Sequence, residues 1–293
     1  MKSNWKFILI PIIAIIIIVF FKVANLNNSN GKKEFEKIDQ INFTEKEVNV
    51  NFEPFFRTKP SDPDFIPSPP DMTEFDNGVL KVCGEWGSYP DEEDFRILLD
   101  CPEHEDSIKR IYKELDYQVI TSNSSLELFK DELTKVWFTS HHPRQGSGEN
   151  HTGFRHIFCG EPDGEVLGGM HFVGRYVEAQ KNKWAGAIWY DKSLCNKIEI
   201  QHPVYTFGMQ YLDITGEVKT KCQNGYPYNL HADDILILAT KAFKNLGKDG
   251  VCAYKMPNED YQSIFVRKDN SILTFYPDLA PKCKGYDTCP VCN

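Results

Sequence analysis

Between Gly153 and Tyr176 the chain reads Gly-Phe-Arg-His-Ile-Phe-Cys-Gly-Glu and then, from Gly168, Gly-Gly-Met-His-Phe-Val-Gly-Arg-Tyr. Two histidines, His156 and His171, thereby stand fifteen residues apart on either side of a glycine-broken turn. A fold that accommodates this stretch presents two imidazoles from neighbouring segments. One ring to remove a proton and another to deliver one is what metal-free phosphodiester or acyl transfer requires.

The first residues bear on the compartment. Lys2 and Lys6 precede fifteen apolar residues, Phe7 to Phe21, and Lys22 closes the run before Val23 and Ala24. That is short of the roughly 20 residues needed to span a bilayer core, so both a signal peptide and a short signal anchor fit residues 1–24. Lys22 occupies the place where a cleavage site wants small neutral residues, which favours an uncleaved anchor through residues 7–24. In either case the body of the protein is expected to be extracytoplasmic, membrane-anchored or secreted.

Nine cysteines agree with export, because disulfides persist in oxidising compartments. They are Cys83, Cys101, Cys159, Cys195, Cys222, Cys252, Cys283, Cys289 and Cys292, and the odd total leaves at least one thiol outside the intrachain pairs. Their connectivity is open. The terminal Cys-Pro-Val-Cys reads as part of a disulfide-stapled tail, with half of a zinc knuckle as the rival.

A net charge of −9 opposes broad, non-specific binding of nucleic acid. The excess is local: residues 1–150 carry 17 basic and 26 acidic side chains, and residues 151–293 carry 16 of each. A neutral half still accommodates a basic cleft.

Composition divides the chain. Residues 25–77 are rich in Asn, Lys, Glu, Asp and Pro, including Lys-Pro-Ser-Asp-Pro-Asp-Phe-Ile-Pro-Ser-Pro-Pro from Lys59 to Pro70, and read as a disordered tether. From Gly78 the apolar density is that of a globular domain. Residues 78–150 read as a helical part: Ile108, Ile111, Tyr112 and Leu115 share one helical face, and after a capped start at Ser124-Ser125 so do Leu126, Phe129, Leu133, Val136 and Trp137. From Phe154 the segments shorten and become β-rich, so Phe-Arg-His-Ile-Phe, Met-His-Phe-Val-Gly-Arg-Tyr and Lys-Ile-Glu-Ile read as strands. A helix over 233–246 and strands over 251–255, 262–267 and 271–276 complete the reading, followed by a cysteine-rich tail at 281–293. The class is α+β, a helical N-terminal part followed by antiparallel sheets flanked by helices.

Single residues have plain structural readings. His156 inside an apolar strand reads as a core or edge histidine, Cys159 as a packing residue or disulfide partner, and Glu161 as an ion-pair partner for Arg155 or Arg175. His141-His142 has the look of a metal pair, yet neighbours on a strand face opposite ways, and Pro143 and Gly146 mark a polar loop. Asn42, Asn123 and Asn150 begin Asn-x-Ser/Thr sequons.

Taken together, the segment 153–161, Gly169-Met-His171, Met209-Gln-Tyr, Gly216-Glu-Val-Lys219 and Thr274-Phe-Tyr276 resemble the EndoU (XendoU-like) endoribonuclease family, in order and in spacing, over about two fifths of the chain. The resemblance implies a catalytic region over 151–280, two-lobed with the site in the cleft. It implies catalytic roles for His156, His171 and Lys219, a substrate-holding pair Thr274 and Tyr276, and a substrate-binding acidic residue, Glu161. Arg155 stands where many members carry Glu, and the helical part shows no correspondence.

The chemistry so implied is cleavage of RNA at uridylates by its own 2'-hydroxyl, giving 2',3'-cyclic phosphate and 5'-hydroxyl ends. That reaction needs a base, an acid and a cation near the phosphorane, which two histidines and a lysine supply. No cofactor is required on this reading, with stimulation by Mn2+ a property of many relatives. The implied partner is single-stranded, uridine-containing RNA; the sequence identifies no inhibitor or immunity partner. Two rivals remain open: a non-catalytic exported RNA- or protein-binding module on the same scaffold, and a cysteine or zinc hydrolase built on Cys159 or the terminal cysteines.

Overall fold

The computed structural model describes residues 50–141, 151–191, 193–196, 198–283 and 288–293. The apolar run 7–24, the stretch 25–49, the sequon starts Asn42 and Asn150, and His142 lie outside the described residues. Among the described residues no helix is long and apolar enough to cross a membrane.

Among the described residues four α-helices come first: α1 (Glu74–Cys83), α2 (Glu92–Asp100), α3 (Glu105–Glu114) and α4 (Leu126–Phe138). Each starts where local chemistry allows. Thr73 and Asp76 form a reciprocal capping box at α1, the hydroxyl accepting from Asp76 N at 3.0 Å and the carboxylate from Thr73 N at 2.8 Å. At α4 the cap is Ser125, whose hydroxyl accepts from Leu128 N. The apolar stripe of α4 puts Phe129, Leu133, Val136 and Trp137 in the core, and Trp137 Nε1 donates to Thr240 Oγ1 of α6 (Ala232–Leu246) at 3.1 Å.

The later strands form two antiparallel sheets. In the first, β3 (Val204–Leu212) is central, with β4 (Val218–Pro227) along one edge, while β1 (Ala185–Ile188) and β2 (Glu199–Gln201) share the other. The second is the meander β5 (Gly250–Lys255), β6 (Gln262–Lys268) and β7 (Ser271–Asp278), against which α6 packs. The molecule is α+β, helices leading and antiparallel strands following.

Three segments differ from their sequence readings. Phe-Arg-His-Ile-Phe is not a strand but enters a π-helix, Arg155–Cys159, with Gly160 N donating to Arg155 O at 2.9 Å. Its fully buried Phe154, Ile157 and Phe158 have i, i+3, i+4 spacing, which one helical face satisfies. The segment expected to be a strand through Tyr176 instead enters helix α5 (Val173–Lys181), burying Val173, Tyr176 and Ala179. Third, residues 50–77 are no tether. Phe55, Phe56 and Ile66 are core residues, Ala187 N donates to Glu53 O at 2.8 Å, and the Phe55 ring meets Tyr176 edge-on at 5.0 Å. A few aromatics anchor a stretch of polar composition because each buries a large apolar area.

Four disulfides staple these elements: Cys83–Cys159, Cys195–Cys222, Cys252–Cys292 and Cys283–Cys289, leaving Cys101 as a free thiol. Cys159 is therefore bonded to α1 and is no nucleophile. The terminal cysteines sit in two different disulfides, which removes the zinc-knuckle reading. The tail docks on β5, with Ala253 N donating to Pro290 O at 2.7 Å.

The Cys83–Cys159 link joins residues 76 apart. Replacing both by alanine frees a loop whose closure entropy corresponds to about 4 kcal/mol. Urea denaturation of the oxidised wild type and of the double variant is expected to show a lower midpoint for the variant, and equal midpoints would refute this.

Candidate active site

Gly169 sets the geometry of the site. Its φ is +57°, and a Cβ built there would lie 1.7 Å from His156 O, so only glycine lets the chain run against the π-helix. The approach is fixed by Met170 N donating to His156 O and His171 N donating to Ile157 O, both at 2.7 Å. The imidazoles of His156 and His171 end with ring centroids 5.8 Å apart.

Their Nδ1 partners differ. His171 Nδ1 lies 3.1 Å from Gly225 O of β4; a carbonyl only accepts, so Nδ1 carries the proton and Nε2 keeps its lone pair. Burial, then the neighbouring His156 and Lys221, push the His171 pKa well below the ordinary imidazole value, so this ring is neutral around pH 7. His156 Nδ1 instead lies 2.9 Å from Glu161 Oε2. The other oxygen of that carboxylate is 2.8 Å from His151 Nδ1. Burial by itself would raise the Glu161 carboxyl, but the two imidazole hydrogen bonds outweigh it and hold the group far below the usual carboxylate range. Glu161 is thus a buried anion between two rings. The main chain of Glu161 and Gly168, bonded in both directions at 3.0 Å, closes the loop between them.

Neither arginine named as a partner for Glu161 reaches it. Arg155 forks onto Asp163 at 3.0 and 3.2 Å, donates to Ser88 O, and lies 3.7 Å above the Tyr89 ring. Arg175 donates to Cys159 O, Gly84 O and Glu85 O and pairs with Glu178. Both are structural braces behind the π-helix.

A pocket of about 500 Å³ opens in front of the two rings, lined among others by His156, His171, Lys221, Thr274 and Tyr276. Thr274 and Tyr276 share one face of β7. Thr274 Oγ1 is buried without a hydrogen-bond partner among the described residues, and the Tyr276 ring lies 5.3 Å from that of His171.

Lys219 stands elsewhere. Its Nζ pairs with Asp213 Oδ2 at 2.8 Å, and Asp213 also accepts from Thr215 N, Thr215 Oγ1 and Glu217 N, so this lysine closes the β3–β4 hairpin. Two residues on, across one pleat on the same face, Lys221 enters the pocket. It donates to Asn224 Oδ1 at 3.0 Å, and Asn224 Nδ2 donates in turn to Tyr176 Oη at 2.8 Å. Burial pulls the Lys221 pKa down to about 8, against the opposing attraction of Glu161. The structure brings together His156, His171, Glu161, Thr274 and Tyr276, and adds Lys221, Asn224 and His151. The Lys-Thr-Lys alternation of 219–221 is the signal that offered Lys221 in the sequence. His141 is buried away from the pocket, 2.8 Å from Ser271 Oγ. Among the described residues no group of three or more His, Cys, Asp or Glu is arranged to hold a metal ion.

The family model described as bacterial EndoU nuclease matches residues 150–279. A curated relative, uridylate-specific endoribonuclease C of Danio rerio, is 35% identical over 63 residues, 21% of this chain and 20% of that protein, so the chain matches about a fifth of its relative's length. Of solved structures, XendoU, titled a splicing-independent snoRNA-processing endoribonuclease, is similar at 18% identity, covering 69% of this chain and 73% of that one with a TM-score of 0.44. Endoribonuclease Nsp15 of Middle East Respiratory Syndrome Coronavirus is similar at 15% identity, over 56% and 40% of the two chains, with a TM-score of 0.35.

The Glu161 pair carries a pH signature. Its depressed carboxyl contributes stability fully above the ordinary glutamate value, about 4.3, and loses it as pH falls through the folded value. His151, raised chiefly by its hydrogen bond to Glu161, contributes fully below about 6.5 and loses it as pH rises through its folded value. Urea midpoints of wild type and Glu161→Gln are therefore expected to differ most between about pH 4.3 and 6.5 and to converge on both sides. A constant difference from pH 3 to 9 would contradict the ion-pair account.

Proposed function

We propose, from the match of residues 150–279 to the family model described as bacterial EndoU nuclease, that the chain is an endoribonuclease cleaving single-stranded RNA at uridylates. The observation that carries the mechanism is the unlike pairing of two facing imidazoles, His171 on a carbonyl and His156 on a carboxylate. The neutral ring with a free Nε2 acts as the base, and the ring whose positive charge a carboxylate offsets acts as the acid.

In this reaction His171 Nε2 takes the proton of the 2'-hydroxyl and O2' attacks phosphorus. The bond from phosphorus to O5' breaks, and His156 Nε2 delivers its proton to O5'. Lys221, directed by Asn224, offsets the charge that builds on the non-bridging oxygens. The products are a 2',3'-cyclic phosphate and a 5'-hydroxyl, and DNA, which has no 2'-hydroxyl, is not cut. The unpaired Thr274 hydroxyl suits a uracil edge and the Tyr276 ring suits its face. Every proton and charge is assigned to a side chain, and Mn2+ enters as a stimulant to be tested. The four disulfides support an oxidising compartment, in line with export through the 1–24 segment as signal peptide or anchor.

The test uses the full chain and a uridine-containing oligoribonucleotide, with EDTA and with Mn2+, followed by analysis of the ends. Cyclic-phosphate ends are expected in both conditions, and His156→Ala or His171→Ala is expected to lower kcat by at least a hundredfold. Binding without cleavage by folded wild type would establish the non-catalytic module instead.

A companion pair separates the two lysines. Lys221→Ala is expected to reduce kcat on the order of a hundredfold, whereas Lys219→Ala stays within a few-fold, because its ammonium is committed to Asp213. The reverse pattern would return the catalytic cation to Lys219.

A further inference from the structure

Glu161 has two oxygens and two imidazoles, and the mechanism uses only one of them. His151 Nδ1 lies 2.8 Å from Oε1 while His156 Nδ1 lies 2.9 Å from Oε2. The carboxylate is nearly sealed from solvent, and His151 itself is largely buried. Nor is His151 on a loose segment. Its main chain bonds that of His141 in both directions, at 2.7 and 3.2 Å, and the His141 ring is fixed by Ser271 Oγ at the start of β7. The strand that carries Thr274 and Tyr276 thus also anchors the second ring on Glu161.

We infer that His151 is a positioning residue for the reaction: acting through Glu161, it fixes the orientation of His156. This rests on the nuclease reading of the pocket. A carboxylate held by one imidazole alone rotates about its terminal torsion, and Nε2 of His156 swings with it. A second imidazole, with Nδ1 2.8 Å from the far oxygen, restrains that torsion. Among the described residues, Arg155 and Asp163 also bear on His151 and are paired with each other, and the ring of His171 faces that of His156.

Two substitutions separate the donor from the space the ring fills. Asparagine places its amide nitrogen near the position of imidazole Nδ1 and donates a neutral hydrogen bond, whereas leucine fills the space and donates nothing. With the full chain and a uridine-containing oligoribonucleotide, kcat and KM are measured from pH 5 to 9. His151→Leu is expected to lower kcat about tenfold with KM within twofold, the size of effect usual for an outer-shell partner. His151→Asn is expected to keep kcat within about threefold, since its amide restores a donor to Glu161. A His151→Leu variant with wild-type kcat and pH profile, or a fall in Tm unaccompanied by any change in kcat, overturns the inference. So does a His151→Asn variant as impaired as His151→Leu. Wild-type chain that does not cleave, or His156→Ala that cleaves undiminished, overturns the nuclease reading itself, so the two failures are told apart.

Discussion

The close approach of two backbones at Gly169 is the constraint on which the site depends. Met170 and His171 donate to the carbonyls of His156 and Ile157, so the loop after the π-helix is bonded to the helix it has just left. Gly160 N bonds Arg155 O in the wider register and so leaves His156 O for that loop, and Ile157 O is free because the helix ends at Cys159. Once these bonds form, the spacing of the two histidines in the chain ceases to matter and their spacing in the pocket is set. Flexible side chains then have little left to decide. The His156 ring is held by Glu161 and the His171 ring by Gly225 O, each through Nδ1, so both present Nε2.

Electrostatics gives like rings unlike surroundings. Burying several ionisable groups in one pocket is costly, and the cost is met unevenly. Burial lowers the proton affinity of His171, which has positive neighbours as well, and of Lys221, which is drawn the other way by Glu161, while Glu161 collects two imidazoles and is held as an anion. A pocket with one anion at its rear and a lysine at its front suits a substrate whose own charge is negative. The formal neutrality of residues 151–293 therefore hides a local arrangement that composition cannot express.

What the sequence made legible follows the range of the forces involved. Helices α3, α4 and α6 and strands β5 to β7 were readable because their periodicity and caps are local. The π-helix was misread as a strand because a five-residue apolar run satisfies either period, and only Phe154, Ile157 and Phe158 packing on one side distinguishes them. Pairing of Glu161 with His151 and His156 could not be separated from pairing with Arg155 or Arg175, since all four lie within fifteen residues of it. That Lys221 lines the pocket while the expected Lys219 does not was likewise hidden. It turns on Asp213, a turn residue that captures the first lysine and leaves the second to the pocket. Residues 50–77 were misjudged by averaging, since Phe55 and Phe56 are too few to raise the mean and sufficient to anchor the chain.

The helical part, which shows no motif of its own, acquires a role from packing. Phe154, two residues before His156, lies 5.0 Å from Phe95 of α2 and 4.9 Å from Phe138 of α4 between ring centroids, and Phe158 lies 5.5 Å from Trp137. Cys83 of α1 bonds Cys159, and Arg175 clamps the carbonyls of Gly84 and Cys159 together. Phe154, Phe158 and Cys159 are thus each held by an element that precedes them in the chain. A π-helix of five residues cannot hold its own shape in water, because nucleating a helical turn is unfavourable and wide turns more so. Its geometry must be imposed from behind. Helices α1, α2 and α4 are the back wall that imposes it, so the orientation of His156 is set as much by aromatic packing outside the matched segment 150–279 as by the residues within it.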